Sequence, residues 1–220
     1  MPGRRYRVTD DDIFAAARRA MARRGPHELT LADIAAEAGI TAGRLVQRFG
    51  GKRDLLLALS ARFAGSAGSV FAALRLAHQS PLAVLRAYAA CMAGLAPTAE
   101  ALLRNLAYLQ IDLTDPRFRR HLLENARTTR REIEMLVRAA VACGELHRDV
   151  DCVSLARTVE TVISGSLMTW ACYREGSAAE WIRGDLEAVL RPHLSAKGTQ
   201  RTTSQRRPRS QGTRRSRTRA

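Results

Sequence analysis

The sequence predicts an all-α protein, and three observations carry that prediction. Ala, Leu and Arg, all good helix formers, dominate the 220 residues, while alternating β-branched runs are absent. Apolar residues such as Ile13, Phe14, Ala17 and Met21 fall on single helical faces. Capping and stop signals punctuate the chain at helix-length intervals.

The elements follow in order. Residues 1–8 read as a flexible basic arm carrying Arg4, Arg5 and Arg7. Thr9 is an N-cap, and Asp10, Asp11 and Asp12 suit the positive end of the helix that follows. Gly25-Pro26 stops it. Thr30 caps a short second helix with Leu31, Ile34, Ala35 and Ala38 on its inner face, and Gly39 ends it. Thr41 caps a third, over residues 42–48, which Gly50-Gly51 breaks. A long fourth helix is expected from Lys52 to about Leu76, through Leu55, Leu56, Leu59, Phe63 and Val70.

Longer helices make up the rest. Ser80-Pro81 opens one to about Leu95, and Pro97-Thr98 another to about Ile111. Asp115-Pro116 pairs an N-cap with proline in the first turn and starts a helix to about Cys143, with Gly144 at its end. Asp149 to Asp151 precede a Val-, Leu- and Met-rich helix ending near Tyr173. Ser177 and Glu180 form a capping box for a last helix that Pro192 closes.

Composition narrows function. The 46% hydrophobic content builds a core, and with 5% aromatic residues that core is mostly Ala, Leu and Val. The net charge of +15 asks for an anionic partner, nucleic acid first and an anionic membrane surface second. That charge divides unevenly. Residues 195–220 hold nine basic residues and no acid, so this Arg-rich tail, expected to be disordered, supplies +9 and the body +6. No signal peptide is visible, and the most apolar stretches, near 87–97 and 159–173, are shorter than the roughly 20 residues of a membrane helix. A cytoplasmic protein without a membrane role is the expectation. Cys91, Cys143, Cys152 and Cys172 form no paired framework, and Cys143, His147 and Cys152 lack tight metal-ligand spacing. Phosphate-cradling loops, GxSxG and HExxH are missing too, so no enzyme, cofactor or metal is expected.

Residues 29–56, LTLADIAAEAGITAGRLVQRFGGKRDLL, carry the functional signal. Two short helices joined by a tight glycine turn make a helix-turn-helix. Ala35 is small where the helices approach, Gly39 tolerates the left-handed turn, and Ile40 and Leu45 point into the core. Thr41, Ala42, Arg44, Gln47 and Arg48 then face outward, as a helix in a DNA major groove requires. Arginine can pair with guanine and glutamine with adenine.

This window resembles the N-terminal DNA-binding domain of the TetR family of transcriptional regulators. The shared pattern is Thr30, Ile34-Ala35, Ala38-Gly39-Ile40-Thr41, Gly43, Leu45, Phe49, Lys52 and Leu55. The DPRFRR…GEL run from Asp115 onward, with the apolar helix after it, is similar to the C-terminal domains of many members. The resemblance implies a homodimer whose subunits have three DNA-binding helices and a larger helical domain for ligand binding and dimerisation. The expected division is an arm at 1–8, a DNA-binding domain at 9–55, an effector and dimerisation domain at 56–194, and the tail at 195–220. Thr30 and Thr41 are then expected to offer hydroxyl or N–H groups to phosphates, and Lys52 to contact the DNA backbone. The chain departs from the family where Val46 and Gln47 replace aromatic residues and Arg48 replaces histidine.

In the family pattern the last two long helices, here near 151–173 and 177–191, pair across a dyad. Gly165 and Ser166 allow close approach, and Leu167, Met168 and Trp170 supply area. A small-molecule pocket would draw its polar groups from Tyr88, Asn105, Tyr108, Gln110 and Thr161, a set that favours a neutral or apolar effector. The implied function is a repressor released from a pseudo-palindromic operator on double-stranded DNA by a small-molecule effector. The alternatives are a nonspecific nucleic-acid binder working through the tail, and a helical enzyme or scaffold with a vestigial DNA head.

Overall fold

A computed structural model describes residues 8–196. Arg4, Arg5, Arg7 and residues 197–220, on which the arm and tail expectations mostly fall, lie outside the described residues. Within them ten α-helices succeed one another: α1 (Asp10–Arg23), α2 (Leu31–Ala38), α3 (Ala42–Phe49), α4 (Lys52–Ala64), α5 (Ala67–Ala77), α6 (Pro81–Gly94), α7 (Ala99–Thr114), α8 (Pro116–Ala142), α9 (Cys152–Tyr173) and α10 (Ala178–Leu190). No strand is present among the described residues, only an isolated bridge between Leu146 and Leu194.

Local chemistry sets the helix starts. Thr9, Thr30 and Ser177 each accept the N3 backbone N–H, while the N3 carboxylates of Asp12, Asp33 and Glu180 accept from the cap backbone. Each box satisfies donors that a helix start otherwise leaves orphaned, worth about 1 kcal/mol per cap. Ser80 and Asp115 cap α6 and α8 ahead of a first-turn proline. Gly39 closes α2 at φ 67°, where the Ile40 N–H reaches back to the Ala35 carbonyl at 3.0 Å.

Two apolar cores result. The first joins Ile13, Phe14, Leu29, Ile34, Leu45, Leu55, Leu56 and Leu59 with Tyr108 and Phe118 from α7 and α8. The second gathers Phe71, Leu85, Ile133, Val137, Val159, Ile182 and Leu186 from α5, α6, α8, α9 and α10. Glu37 accepts from Arg19 at 2.5 Å and also from Arg23, which clamps α2 onto α1.

The chain corrects the long fourth helix. It divides into α4 and α5 at Gly65–Ser66, where the Ser66 hydroxyl donates to the Phe63 carbonyl and the Ser69 hydroxyl to the Ser66 carbonyl, both at 2.7 Å. These hydroxyls compete with helical hydrogen bonding at the break. Lys52–Ala77 as a whole has the length and apolarity of a membrane-crossing helix, with a mean hydropathy of 1.5 in its most apolar window. The break falls inside that stretch.

At the other end the ordered chain extends past Pro192 through a 3-10 turn, Arg191–His193. Ser195, assigned to the tail from composition, donates its N–H to the Glu145 carbonyl at 3.1 Å and its hydroxyl to the Gly144 carbonyl. Glu145 itself is buried, and its carboxylate accepts the Leu82 N–H at 3.2 Å, at the start of α6. A helix N-terminus favours a negative charge there.

Two outcomes are expected. Gly39→Ala meets no steric obstacle to a Cβ, but must hold φ 67°, so urea unfolding should show a loss of about 1–2 kcal/mol. Acid should weaken the helix starts. Hydrogen bonds from the Thr9 hydroxyl and N–H hold Asp12 below the usual carboxylate range, as the Thr30 hydroxyl and N–H do for Asp33 and the Ser177 N–H and hydroxyl for Glu180. Stability from these lowered groups is complete above the ordinary carboxylate value, roughly pH 4, and is lost as pH falls through their depressed values. Thermal melts between neutral and strongly acidic pH check it.

Candidate nucleic-acid interface

The helix-turn-helix is built by burial on one side and exposure on the other. Ile34, Ala35 and Leu45 are fully or almost fully buried, fixing α2 against α3. Helical spacing then turns Gly43, Arg44, Val46 and Gln47 outward, and all four are exposed. Arg44 has no ion-pair partner among the described residues, so its guanidinium fork is free for a ligand. Thr41 accepts the Arg44 N–H at 3.4 Å as N-cap of α3. Ala42 is half-buried against the head core rather than fully outward. Val46, a departure from the family pattern, is 47% exposed at the centre of this face and has no side-chain donor for a phosphate.

Three other expected DNA contacts are engaged within the protein. Thr30 directs its hydroxyl at 2.6 Å and its N–H at 2.9 Å to Asp33, so its donors are occupied in the capping box. The Lys52 ammonium donates to the carbonyls of Pro26 at 3.1 Å and Leu29 at 2.8 Å, fastening the α1–α2 loop to the start of α4. One of its three donors remains. Arg48 turns back to α1, with Nη1 donating to the Val8 carbonyl at 2.9 Å and Nε 2.7 Å from the Asp10 carboxylate. These engagements are tertiary, and residue spacing within the helix-turn-helix gives no signal of them.

The head is joined to the larger bundle at the α7–α8 corner. Tyr108, expected among pocket groups, belongs to the head core instead and donates its hydroxyl to the Arg24 carbonyl at 3.1 Å. Burial pushes its phenol up to about 12. Arg53 pairs with Asp115, and its guanidinium lies 6.0 Å from the Phe118 ring centroid. The Arg53 side chain holds the Asp115 carboxyl below the usual range, while Asp115 also caps α8.

The other expected pocket groups separate. Tyr88 is buried, stacks on Phe71 at 4.4 Å between centroids and shares a hydrogen bond with Thr129. Asn105 and Gln110 are exposed, and Asn105 donates to the Leu95 carbonyl at 2.9 Å. Thr161 is exposed and its hydroxyl is taken by the Arg157 carbonyl of its own helix. Both α7 and α9 are apolar around much of their circumference, so sequence did not say which side faces in. On α9, Trp170 and Ser166 are buried, whereas Gly165 and Met168 face outward. Among the described residues no three His, Cys, Asp or Glu side chains come together as a metal site.

Comparison with known proteins bears on this geometry. Residues 13–59 match the model of the bacterial regulatory proteins of the tetR family, and residues 103–186 match a tetracyclin repressor-like C-terminal domain. A comparison with curated proteins returns no match. Solved structures share the fold. A TetR-family transcriptional regulator from Agrobacterium tumefaciens aligns with a TM-score of 0.65 and 19% identity, over 84% of this chain and 97% of that one. A regulator from Saccharomonospora viridis, solved in complex with choline, aligns at 0.68 and 22% over 84% and 96%. The transcriptional regulator FadR from Bacillus subtilis, in complex with stearoyl-CoA, aligns at 0.61 and 17% over 82% and 97%.

Lys52→Met keeps the apolar stem but leaves the Pro26 and Leu29 carbonyls without their charged donor. A loss of about 1.5–3 kcal/mol is expected in urea unfolding. An unchanged midpoint would show that these bonds contribute nothing.

Proposed function

We propose, since this chain belongs to the TetR family of bacterial regulatory proteins, that it is a dimeric repressor released from its operator by a small molecule. The chain is a DNA-binding transcriptional regulator, not an enzyme. The observation that carries the finer reading is the outward face of α3, where Arg44 and Gln47 stand unengaged beside Thr41 and Val46.

On this reading α3 enters the major groove. Arg44 pairs with guanine, Gln47 with adenine, and Val46 rests against a thymine methyl. Thr41 and the remaining donor of Lys52 take phosphates, while Ala42 lets the backbone of α3 come close. Thr30 reaches a phosphate only by giving up its bond to Asp33. One reading head spans a half-site, so a pseudo-palindrome requires two. The outward strip of α9 and α10, with Gly165, Met168 and Gly184, fits a second copy. We assign residues 9–55 to DNA reading, although the head core extends through Leu59.

We place the effector site around Tyr88, Phe71 and Thr129 in the second core, whose apolar residues suit a neutral or apolar molecule. The choline and stearoyl-CoA bound by two proteins of this fold support a small-molecule ligand without choosing its class. A ligand that moves α7 or α8 acts on the head through Tyr108–Arg24 and Arg53–Asp115. Binding that favours the moved state shifts the population off the operator. The tail adds salt-sensitive affinity without choosing the site.

Selection of a duplex from a random-sequence pool, followed by footprinting, tests the reading. A two-fold related site is expected, and Arg44→Ala or Gln47→Ala should weaken binding by about 1–3 kcal/mol and relax preference at one base pair per half-site. Unaltered preference in both variants would count against the recognition face. Met168→Glu should shift the protein to monomer in sedimentation and abolish binding to the two-fold site. A dimer that persists would place the interface elsewhere.

A further inference from the structure

The two apolar cores are separated along α8. Phe118 belongs to the head core, and the first α8 member of the bundle core is Ile133, about 22 Å further along the helix. Between them one side of α8 turns polar. His121, Asn125 and Thr129 recur at every fourth residue, which sets them in one row, and all three are half-buried or buried. Thr129 ends the row at Tyr88, with which it shares a hydrogen bond. His121 begins it, one turn after Phe118.

Two nitrogens near that beginning are buried and have no hydrogen-bond partner among the described residues, His121 Nδ1 and Arg104 Nε. Folded proteins seldom leave such groups orphaned, so each asks for a partner. Arg104 stands on α7 one turn before Tyr108, and Tyr108 and Phe118 share the head core. The helices run together from the corner at Asp115, and along them the places of Arg104 and His121 differ by about 7 Å, which a long arginine side chain covers. Neighbouring carboxylates satisfy neither nitrogen. Glu124 Oε2 lies 4.0 Å from His121 Nδ1, beyond hydrogen-bond reach, and Glu100, one turn before Arg104, is paired with Arg174 at 3.3 Å.

We propose that Arg104 and His121 receive the carboxylate of an amphipathic acid whose apolar body lies along the α8 row toward Tyr88 and Phe71. The proposal rests on the effector site placed around Tyr88, and adds an acidic end to the molecule read there as neutral or apolar. From His121 to Thr129 is about 12 Å of helix, which sets the length of the apolar portion. A guanidinium keeps its charge and its planar fork matches a carboxylate, while an imidazole protonated at Nδ1 adds a further donor. A neutral end group would leave the arginine charge without a counterpart. The acid also sits beside Phe118, at the corner that seals the head core.

Calorimetric titration of the full-length protein with decanoate and with decan-1-ol tests this, because the probes share an alkyl chain and differ in the end group. Decanoate should bind about tenfold more tightly or better. Arg104→Met and His121→Leu remove the donors and keep the bulk. Since these donors lack partners in the free protein, urea midpoints should be unchanged or raised. Decanoate affinity should fall about tenfold in each variant, and decanol affinity by less than about twofold.

Equal affinity for the two probes would overturn the proposal, as would a lowered midpoint with decanoate binding intact, the mark of a purely structural role. Decanol binding that is weakened by Thr129→Val, with decanoate no tighter, removes the acidic end and leaves the Tyr88 placement standing. Absence of binding by both probes, or binding indifferent to Thr129→Val and Tyr88→Phe, strikes that placement and the proposal with it.

Discussion

The DNA-reading head cannot close its core with its own helices. Ile13, Phe14, Leu29, Ile34 and Leu45 leave a face that is sealed by α4 and then by Tyr108 and Phe118 from the α7–α8 corner. Other features depend on this sharing. Burial of Tyr108 brings its hydroxyl to the Arg24 carbonyl at the end of α1, and the approach of Phe118 sets Asp115 beside Arg53. A close-packed interior transmits displacement because it has few voids to absorb it. Packing and two polar ties therefore couple the α7–α8 corner to the end of α1 and to α4.

Charge is arranged on the same plan. The head holds many arginines, yet Arg19, Arg23, Arg24, Arg48, Arg53 and Arg62 are each matched to a carboxylate. Exposed pairs of this kind contribute little to stability, with a median of about 0–1 kcal/mol. Their effect is on where positive potential is left over. Among the described residues of the head, Arg18, Arg44 and Lys52 have no carboxylate partner, and of these Arg44 stands on the outward face of α3. Pairing of the other arginines leaves Arg44 as the unpaired guanidinium on the proposed reading face.

Much of this was legible in the sequence where the physics is local. Thr9, Thr30, Ser177 and Asp115 are caps whose partners lie within three residues, and Gly39 is required by a single backbone angle. The family pattern from Thr30 to Leu55 located the head. Illegible features depend on distant partners. The break at Gly65–Ser66 divides an apolar run that reads as continuous. Asn105 and Thr161 sit on helices whose apolar residues go most of the way round, so their solvent-facing side had no sequence mark. Spacing put Arg48 on the outward face and the family pattern put Lys52 on the DNA backbone, but their bonds to Val8, Asp10, Pro26 and Leu29 arise only when α1 and its following loop pack against α3 and α4. Glu145 was passed over because a lone acid gives no hint that it is buried at the start of α6.

The near-total use of arginine for positive charge has a consequence for chemical labelling. Lysine occurs only at 52 and 197. The Lys52 ammonium commits two of its three N–H groups to carbonyls of the α1–α2 loop, which crowds its nitrogen against a reagent. Acylating reagents thus encounter one lysine in the tail sequence and one fastened at the junction of loop and helix. Modification at Lys52 therefore reports on the contact between the α1–α2 loop and α4, readable by mass spectrometry without introducing any foreign reporter.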